Sequence, residues 1–204
     1  MTHNLSLAKL NKLSEIYQWL ADIFACYGSF TDLPEESLWD ATDETATRLT
    51  HLNNWIQKEE SQVGKDLLEQ QIATIASSLF EVNQGGIPLP LYGSWWLEGK
   101  LQGETTWQVS QVLKEEGLET TVEIADFLPT ELEFLSLVLQ MEAEGHSRKD
   151  ESIIQVARSR RQSFTMEFMR PWIIKFKKEA DQQVTSPYWS KIIGLLFYLI
   201  TYDT

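Results

Sequence analysis

The sequence predicts an all-α fold, a single-domain helical bundle of about eight to ten helices. Three observations carry that prediction. Apolar residues recur near a 3.6-residue period through most of the chain, the pattern of amphipathic helices. Glycine and proline fall mostly between the periodic stretches, where they stop and restart helices. Only Thr120 to Ile124 alternates as a strand would, and weakly. With 204 residues, the chain suffices for one domain over residues 1–204, burying roughly 70% of its unfolded surface.

Residues 5 to 27 form the first predicted helix, with Leu5, Leu10, Leu13, Leu20 and the pairs Ile16/Tyr17 and Ile23/Phe24 on one face. Gly28 and Thr31-Asp32-Leu33-Pro34 stop the chain and restart it. Pro34 followed by Glu35 and Glu36 suits a helix's first turn, where proline is tolerated and negative charge favoured. Thr42 or Asp43 caps a helix carrying Ala46, Leu49, Leu52 and Trp55/Ile56, and Gly64 breaks it. A helix over residues 65 to 82 turns Leu68, Ile72, Ile75 and Leu79 inward and ends at Asn83-Gln-Gly-Gly86, since glycine reaches the positive φ of a C-cap. Pro129 to Gly145 is helical, with Glu131 and Glu133 near its N-terminus complementing the helix dipole, and His146 helps to cap its end. Arg148 to Lys178 is a long amphipathic stretch in which Pro171 predicts a break or kink near Arg170. A last helix runs from Pro187 to about Tyr202.

Charge and composition exclude several functions. A net charge of −13 argues against nucleic acid, whose phosphates need clustered Lys and Arg. The histidines, His3, His51 and His146, lack partners at metal-ligand spacing, so no metal site is expected. There is no nucleophile elbow, phosphate-binding loop or dinucleotide fingerprint. Neither catalytic residues nor a cofactor is expected, and the chain does not read as an enzyme. The single cysteine, Cys26, lies beside Ile23, Phe24 and Tyr27 and reads as a buried structural thiol in a reducing compartment. The apolar run Ile192 to Tyr202 falls short of the ~20 residues a membrane span needs. No stable membrane insertion, no secretory signal and a cytoplasmic location are therefore expected.

The unusual chemistry lies between residues 87 and 133. An apolar loop, Ile87-Pro-Leu-Pro-Leu-Tyr-Gly-Ser-Trp-Trp-Leu97, is followed by an amphipathic segment from Glu104 to Gly117 and then by Ile124-Ala-Asp-Phe-Leu-Pro-Thr-Glu-Leu-Glu-Phe134. Tyr92, Trp95, Trp96 and Trp107 gather rings with a polar handle, the residue types enriched in binding hot spots. Prolines restrict the loop and reduce the entropy lost when it binds. Consecutive Trp95 and Trp96 rarely point the same way, so one of them suits a groove wall; the rival reading is that these rings plug the core. Asp126, Glu131 and Glu133 could serve acid–base chemistry, but capping and dipole roles explain them better.

These motifs, in this order, resemble the TorD/DmsD family of cytoplasmic chaperones for molybdenum-dependent redox enzymes. Pro88-Leu-Pro-Leu-Tyr-Gly-Ser-Trp-Trp-Leu-Glu98 is similar to the family's proline-rich loop, and Gly103 to Leu118 to its next helix. Ala125-Asp-Phe-Leu-Pro-Thr-Glu-Leu-Glu-Phe-Leu135 is similar to its Asp-His motif, and Phe168-Met-Arg-Pro-Trp172 with Ser186-Pro-Tyr-Trp189 to its closing helices. The resemblance covers about Leu67 to Tyr202. It implies an all-helical fold, sometimes found as domain-swapped homodimers. It implies as partners the twin-arginine leader peptide of a client and the apo-molybdoenzyme itself, held during molybdopterin insertion and before export. By position it makes Tyr92, Gly93, Ser94, Trp95 and Trp96, with Asp126, Phe127, Leu128, Pro129 and Glu131, the candidate peptide-binding residues. Two departures stand out: Phe127 occupies the family's histidine position, and Leu91 replaces the loop's second proline. Losing the imidazole removes a hydrogen bond and a pH response, while a ring of similar footprint would keep the packing.

The residues themselves suit that ligand. An apolar groove with aromatic walls and a carboxylate at its rim fits two guanidinium groups followed by an apolar stretch. Asp126 is the first candidate for that carboxylate, with Glu98 and Glu131 behind it. Two alternatives stay open: a nucleotide-responsive protein, which the charge opposes, and a purely structural helical adaptor whose loop aromatics are core.

Overall fold

In the computed structural model, residues 5–26, 29–34, 43–82, 86–118 and 124–202 are described. Among them the chain forms nine α-helices and one π-helical turn, with no strand beyond isolated bridging residues. The all-α expectation is thus met. The segment after Pro34 and the weak strand candidate from Thr120 lie largely outside the described residues.

Helix α1 (Leu7–Ala25) is capped by Ser6, whose hydroxyl accepts the Lys9 amide. It buries Leu10, Leu13, Ile16, Leu20 and Ile23 against α6 (Leu128–Arg148), its most extensive partner. The two axes approach closely where small residues meet. Ser136 donates its hydroxyl to the Ser14 carbonyl at 2.9 Å, and the two hydroxyls lie 3.0 Å apart. Buried polar groups are thereby paired instead of orphaned. Cys26 adopts φ 60° at the C-cap of α1 and is exposed. That corrects the buried-thiol reading: a cap residue stands past the helix's apolar stripe, so its neighbours' burial does not extend to it.

Asp43 caps α2 (Glu44–Val63), accepting the Thr45 amide at 2.8 Å. Gly64, at φ 84°, separates α2 from α3 (Lys65–Phe80). Near the C-terminus, α9 (Pro187–Tyr202) buries Tyr188 and Trp189 completely. The Tyr188 hydroxyl donates to the Phe30 carbonyl and the Trp189 indole N–H to that of Ile72. Phe24, Phe30 and Phe80 pack around the Trp189 ring with centroids 4.9 to 5.9 Å away. Tyr188 and Trp189 each carry a polar tip, and both tips are satisfied.

After α7 (Glu151–Phe164) the helix does not break. It widens into a π turn, Thr165–Met169, and continues as α8 (Arg170–Gln183). Pro171 has no N–H and its ring crowds the preceding turn. The wider turn absorbs that crowding, with the Arg170 amide donating to the Thr165 carbonyl five residues back. The expected break near Arg170 is therefore a π turn. Helix α6 also runs past Gly145 to Arg148, with Lys149 in the left-handed C-cap, so His146 lies in its last turn and does not terminate it. Gly145 lets α7 come close: a Cβ there would sit 3.0 Å from the Ile154 amide nitrogen. Among the described residues, no helix is long and apolar enough to cross a membrane.

Candidate functional site

The central region folds as two loops clipped together in front of α6. Leu91 and Tyr92 run antiparallel to Phe127 and Leu128, with Tyr92 and Phe127 forming the isolated bridge. The Leu128 amide donates to the Leu91 carbonyl at 2.8 Å and the Gly93 amide to the Asp126 carbonyl at 3.0 Å. Across the bridge the Tyr92 and Phe127 rings stack, centroids 5.0 Å apart and planes 28° apart. This stack packs the Phe127 ring.

Asp126 ties the clip to two helices. One carboxyl oxygen accepts the Ser94 amide, in the first turn of α4 (Gly93–Glu98). The other accepts the Thr106 hydroxyl of α5 (Glu104–Glu115) at 2.7 Å. Asp126 is completely buried. Behind it Glu131, also fully buried, accepts the Trp172 indole N–H at 3.2 Å. Burial first, then the nearby Asp126 charge, pushes the Glu131 carboxyl well above the ordinary range. Its second oxygen and the Ser94 hydroxyl are buried with no hydrogen-bond partner among the described residues. Trp172 lies against Gly93, where an added Cβ would come within 3.1 Å of the indole.

The two tryptophans of the loop divide. Trp96 turns inward, donating its indole N–H to the Pro90 carbonyl at 2.7 Å and meeting Phe176 edge-on. Trp95 turns outward and is 43% exposed; Trp107 on α5 is 58% exposed. Glu98 spends its carboxyl on the N-terminus of α5, accepting the Glu104 and Thr105 amides at 2.9 and 2.7 Å. Thr105 first, with the Glu104 amide and Lys100 adding, holds that carboxyl below its usual range. A Cβ at Gly103 would collide with that carboxyl, so a side chain there would have to displace Glu98 from its cap.

Residues 39–178 match the family described as the nitrate reductase delta subunit. The chain belongs to that family. It comprises the NarJ- and TorD-type chaperones, as the order of motifs implied, and makes this chain a redox-enzyme maturation chaperone. No curated relative matches the sequence. Among solved structures, the chain is similar to an Archaeoglobus fulgidus protein assigned to redox enzyme maturation. The identity is 16%, with 98% of this chain and 96% of that chain covered and a TM-score of 0.49.

For this delta-subunit family member, the geometry separates the ten sequence candidates into two groups. Tyr92, Phe127 and Trp96 are half-buried and Trp95 is exposed, whereas Gly93, Ser94, Asp126, Leu128, Pro129 and Glu131 are buried. The expectation of a carboxylate at the rim is corrected for Asp126 and Glu131, both fully buried. Asp126 and Glu131 are enclosed because they satisfy the clip and the Trp172 indole, and Glu98 is engaged as a helix cap. Three contributors escaped the sequence reading: Thr106, Trp172 and Lys175, whose ammonium donates to the Trp96 carbonyl at 3.0 Å. The nearest signal was Trp172 within Phe168-Met-Arg-Pro-Trp172, a motif whose position shows no contact partner. No group of three or more His, Cys, Asp or Glu residues able to hold a metal occurs among the described residues.

Proposed function

We propose that this protein is a cytoplasmic chaperone for a molybdopterin-dependent oxidoreductase. It binds the client's twin-arginine leader, the apoenzyme or both while the cofactor is inserted and before export. The observation that carries this reading is the clip. Family membership supplies the client class, and the clip holds Tyr92 and Phe127 at the surface, with Trp95 and Trp107 exposed on neighbouring helices. Large rings fixed in place by buried hydrogen bonds offer apolar contact area at little entropic cost. On a chain of net charge −13, they suit a ligand that is both apolar and cationic.

Isothermal calorimetry tests the reading with a synthetic leader of the client, beside a copy in which both arginines are lysine. Lysine keeps the charge but loses the planar, bidentate fork. The native leader is expected to bind and the lysine copy to bind clearly more weakly. No heat with any of several leaders would refute leader binding, and a search for the client would turn to the mature apoenzyme.

A further inference from the structure

A cleft of about 500 Å³ opens where α2 and α3 part, bounded on its third side by the linker from α8 into α9. No residue of the clip lines it. Gly64 turns the chain between the two helices, and α2 packs more extensively on α9 than on α3. The base of the cleft is core: Leu68 and Ile72 are only 3% and 2% exposed and offer a ligand little. The accessible apolar surface belongs to Trp55 and Ile75, both half-buried, and to Pro187, which is exposed. Tyr188 backs the Trp55 ring, with centroids 6.0 Å apart, and its own hydroxyl is bonded to the Phe30 carbonyl. This wall is therefore in place before any ligand arrives, which lowers the entropic cost of binding.

One charged side chain faces this space. Glu59 lines the cleft one helical turn after Trp55, so carboxylate and indole are neighbours on the same face of α2. Among the described residues no lysine or arginine lines the cleft, and Glu59 makes neither an ion pair nor a hydrogen bond. Gln71 and Thr185 stand at the rim with side chains likewise unpartnered among the described residues. A carboxylate without a local cation, beside an aromatic ring, favours a cationic ligand. Coulomb attraction and a charge-assisted hydrogen bond act from one side and the ring's negative face from the other. The net charge of −13 adds to that preference and opposes anions. The volume falls in the range of about 300–1,000 Å³ typical of small-molecule sites, more than one peptide side chain would fill.

We propose that this cleft binds a small organic amine in its protonated form. The ammonium lies between the Trp55 ring and the Glu59 carboxylate, and an apolar body rests on Ile75 and Pro187. Gln71 and Thr185 are placed to hydrogen-bond a further polar group of the ligand. Such an occupant touches α2, α3 and the start of α9 together, and so stabilises the folded chain by mass action. The inference does not rest on the chaperone reading; either can fail without the other.

Calorimetric titration of the full chain tests this with three probes that share one apolar body: phenethylamine, phenethyl alcohol and phenylpropanoate. The amine is expected to bind saturably, with Kd about 1 mM or tighter, and the alcohol about fivefold more weakly. The carboxylate should give no binding. Glu59→Gln should weaken the amine about fivefold and leave the alcohol unchanged, a selective loss that a general disturbance of the fold would not give. Trp55→Leu should weaken the amine about threefold more than it weakens the alcohol, and Trp55→Phe, which restores a ring, should recover most of that difference. Urea unfolding confirms that each variant is folded. Equal affinity for amine and alcohol, or an unchanged amine affinity in Glu59→Gln, overturns the cation assignment. Absence of saturable amine binding, or amine binding indifferent to both Trp55 variants, overturns the site.

Discussion

Glu131 should be neutral in the folded protein, and its removal should therefore have a pH-dependent signature. The carboxyl is fully buried beside Asp126 with one oxygen unpartnered, and burial pushes its proton affinity up. A folded-state pKa above the unfolded value means that the native state binds the extra proton. Stability is then present in full below the ordinary carboxyl range and declines as pH rises from that range towards the raised pKa. The slope is about 1.4 kcal/mol per pH unit for one proton. Glu131→Gln keeps the shape and an acceptor for the Trp172 indole but cannot ionise. Urea unfolding of both proteins from pH 4 to pH 8 should show near-equal stability at the acid end. The glutamine variant should then gain on wild type as pH rises, by up to about 1.4 kcal/mol per unit, until the raised pKa is passed. Subtracting the two curves cancels the titrating groups that do not couple to Glu131. A pH-independent difference would refute the neutral-acid assignment. Glu131→Ala should instead cost about 2–4 kcal/mol at the acid end, because it opens a cavity and strands a buried indole N–H, and that cost should shrink as pH rises, since alanine cannot ionise either.

Three further outcomes follow from the clip and its supports. Thr106→Val, which removes the hydroxyl donated to Asp126, should cost about 1–3 kcal/mol in chemical unfolding. Gly93→Ala should be destabilised by about 1–2 kcal/mol, since the new methyl meets the Trp172 ring at 3.1 Å; introduced into Trp172→Phe, where the smaller ring leaves room, the same change should cost less than it does in wild type. Gly145→Ala should cost about 1–3 kcal/mol, because the opposing atoms at Ile154 include backbone and cannot swing away.

Much of the fold could be read from the sequence because helical periodicity is a local property. Gly64, Asp43 and Pro187 mark helix ends through their own backbone preferences, and the structure places them there. The π turn was not legible: Pro171 announces a disturbance, but whether the helix breaks or widens depends on packing against α6 and α9. The site was half legible. Residue types in the loop suggested rings and a carboxylate, but their directions are set by partners distant in sequence. Asp126 is drawn inward by the Ser94 amide 32 residues earlier and Thr106 20 residues earlier, and Glu131 by Trp172 41 residues later. Such pairings leave no periodic trace.

The burial of Asp126 changes how substitutions in this region must be read. Asp126→Ala removes the acceptor of both the Ser94 amide and the Thr106 hydroxyl, leaving two donors unpaired and the loop unpinned. It would weaken a ligand held on the Tyr92–Phe127 surface even if no ligand atom ever reached the carboxyl. Loss of leader affinity in that variant therefore has no bearing on which carboxylate meets the arginines. Surface positions discriminate better. Trp95→Ser alters an outward ring and should leave the unfolding midpoint within about 0.5 kcal/mol of wild type. A leader that binds Trp95→Ser and the Tyr92→Ser/Phe127→Ser pair as tightly as wild type, both proteins remaining folded, would place recognition away from the clip. The clip would then serve as the wall that anchors the head of α6.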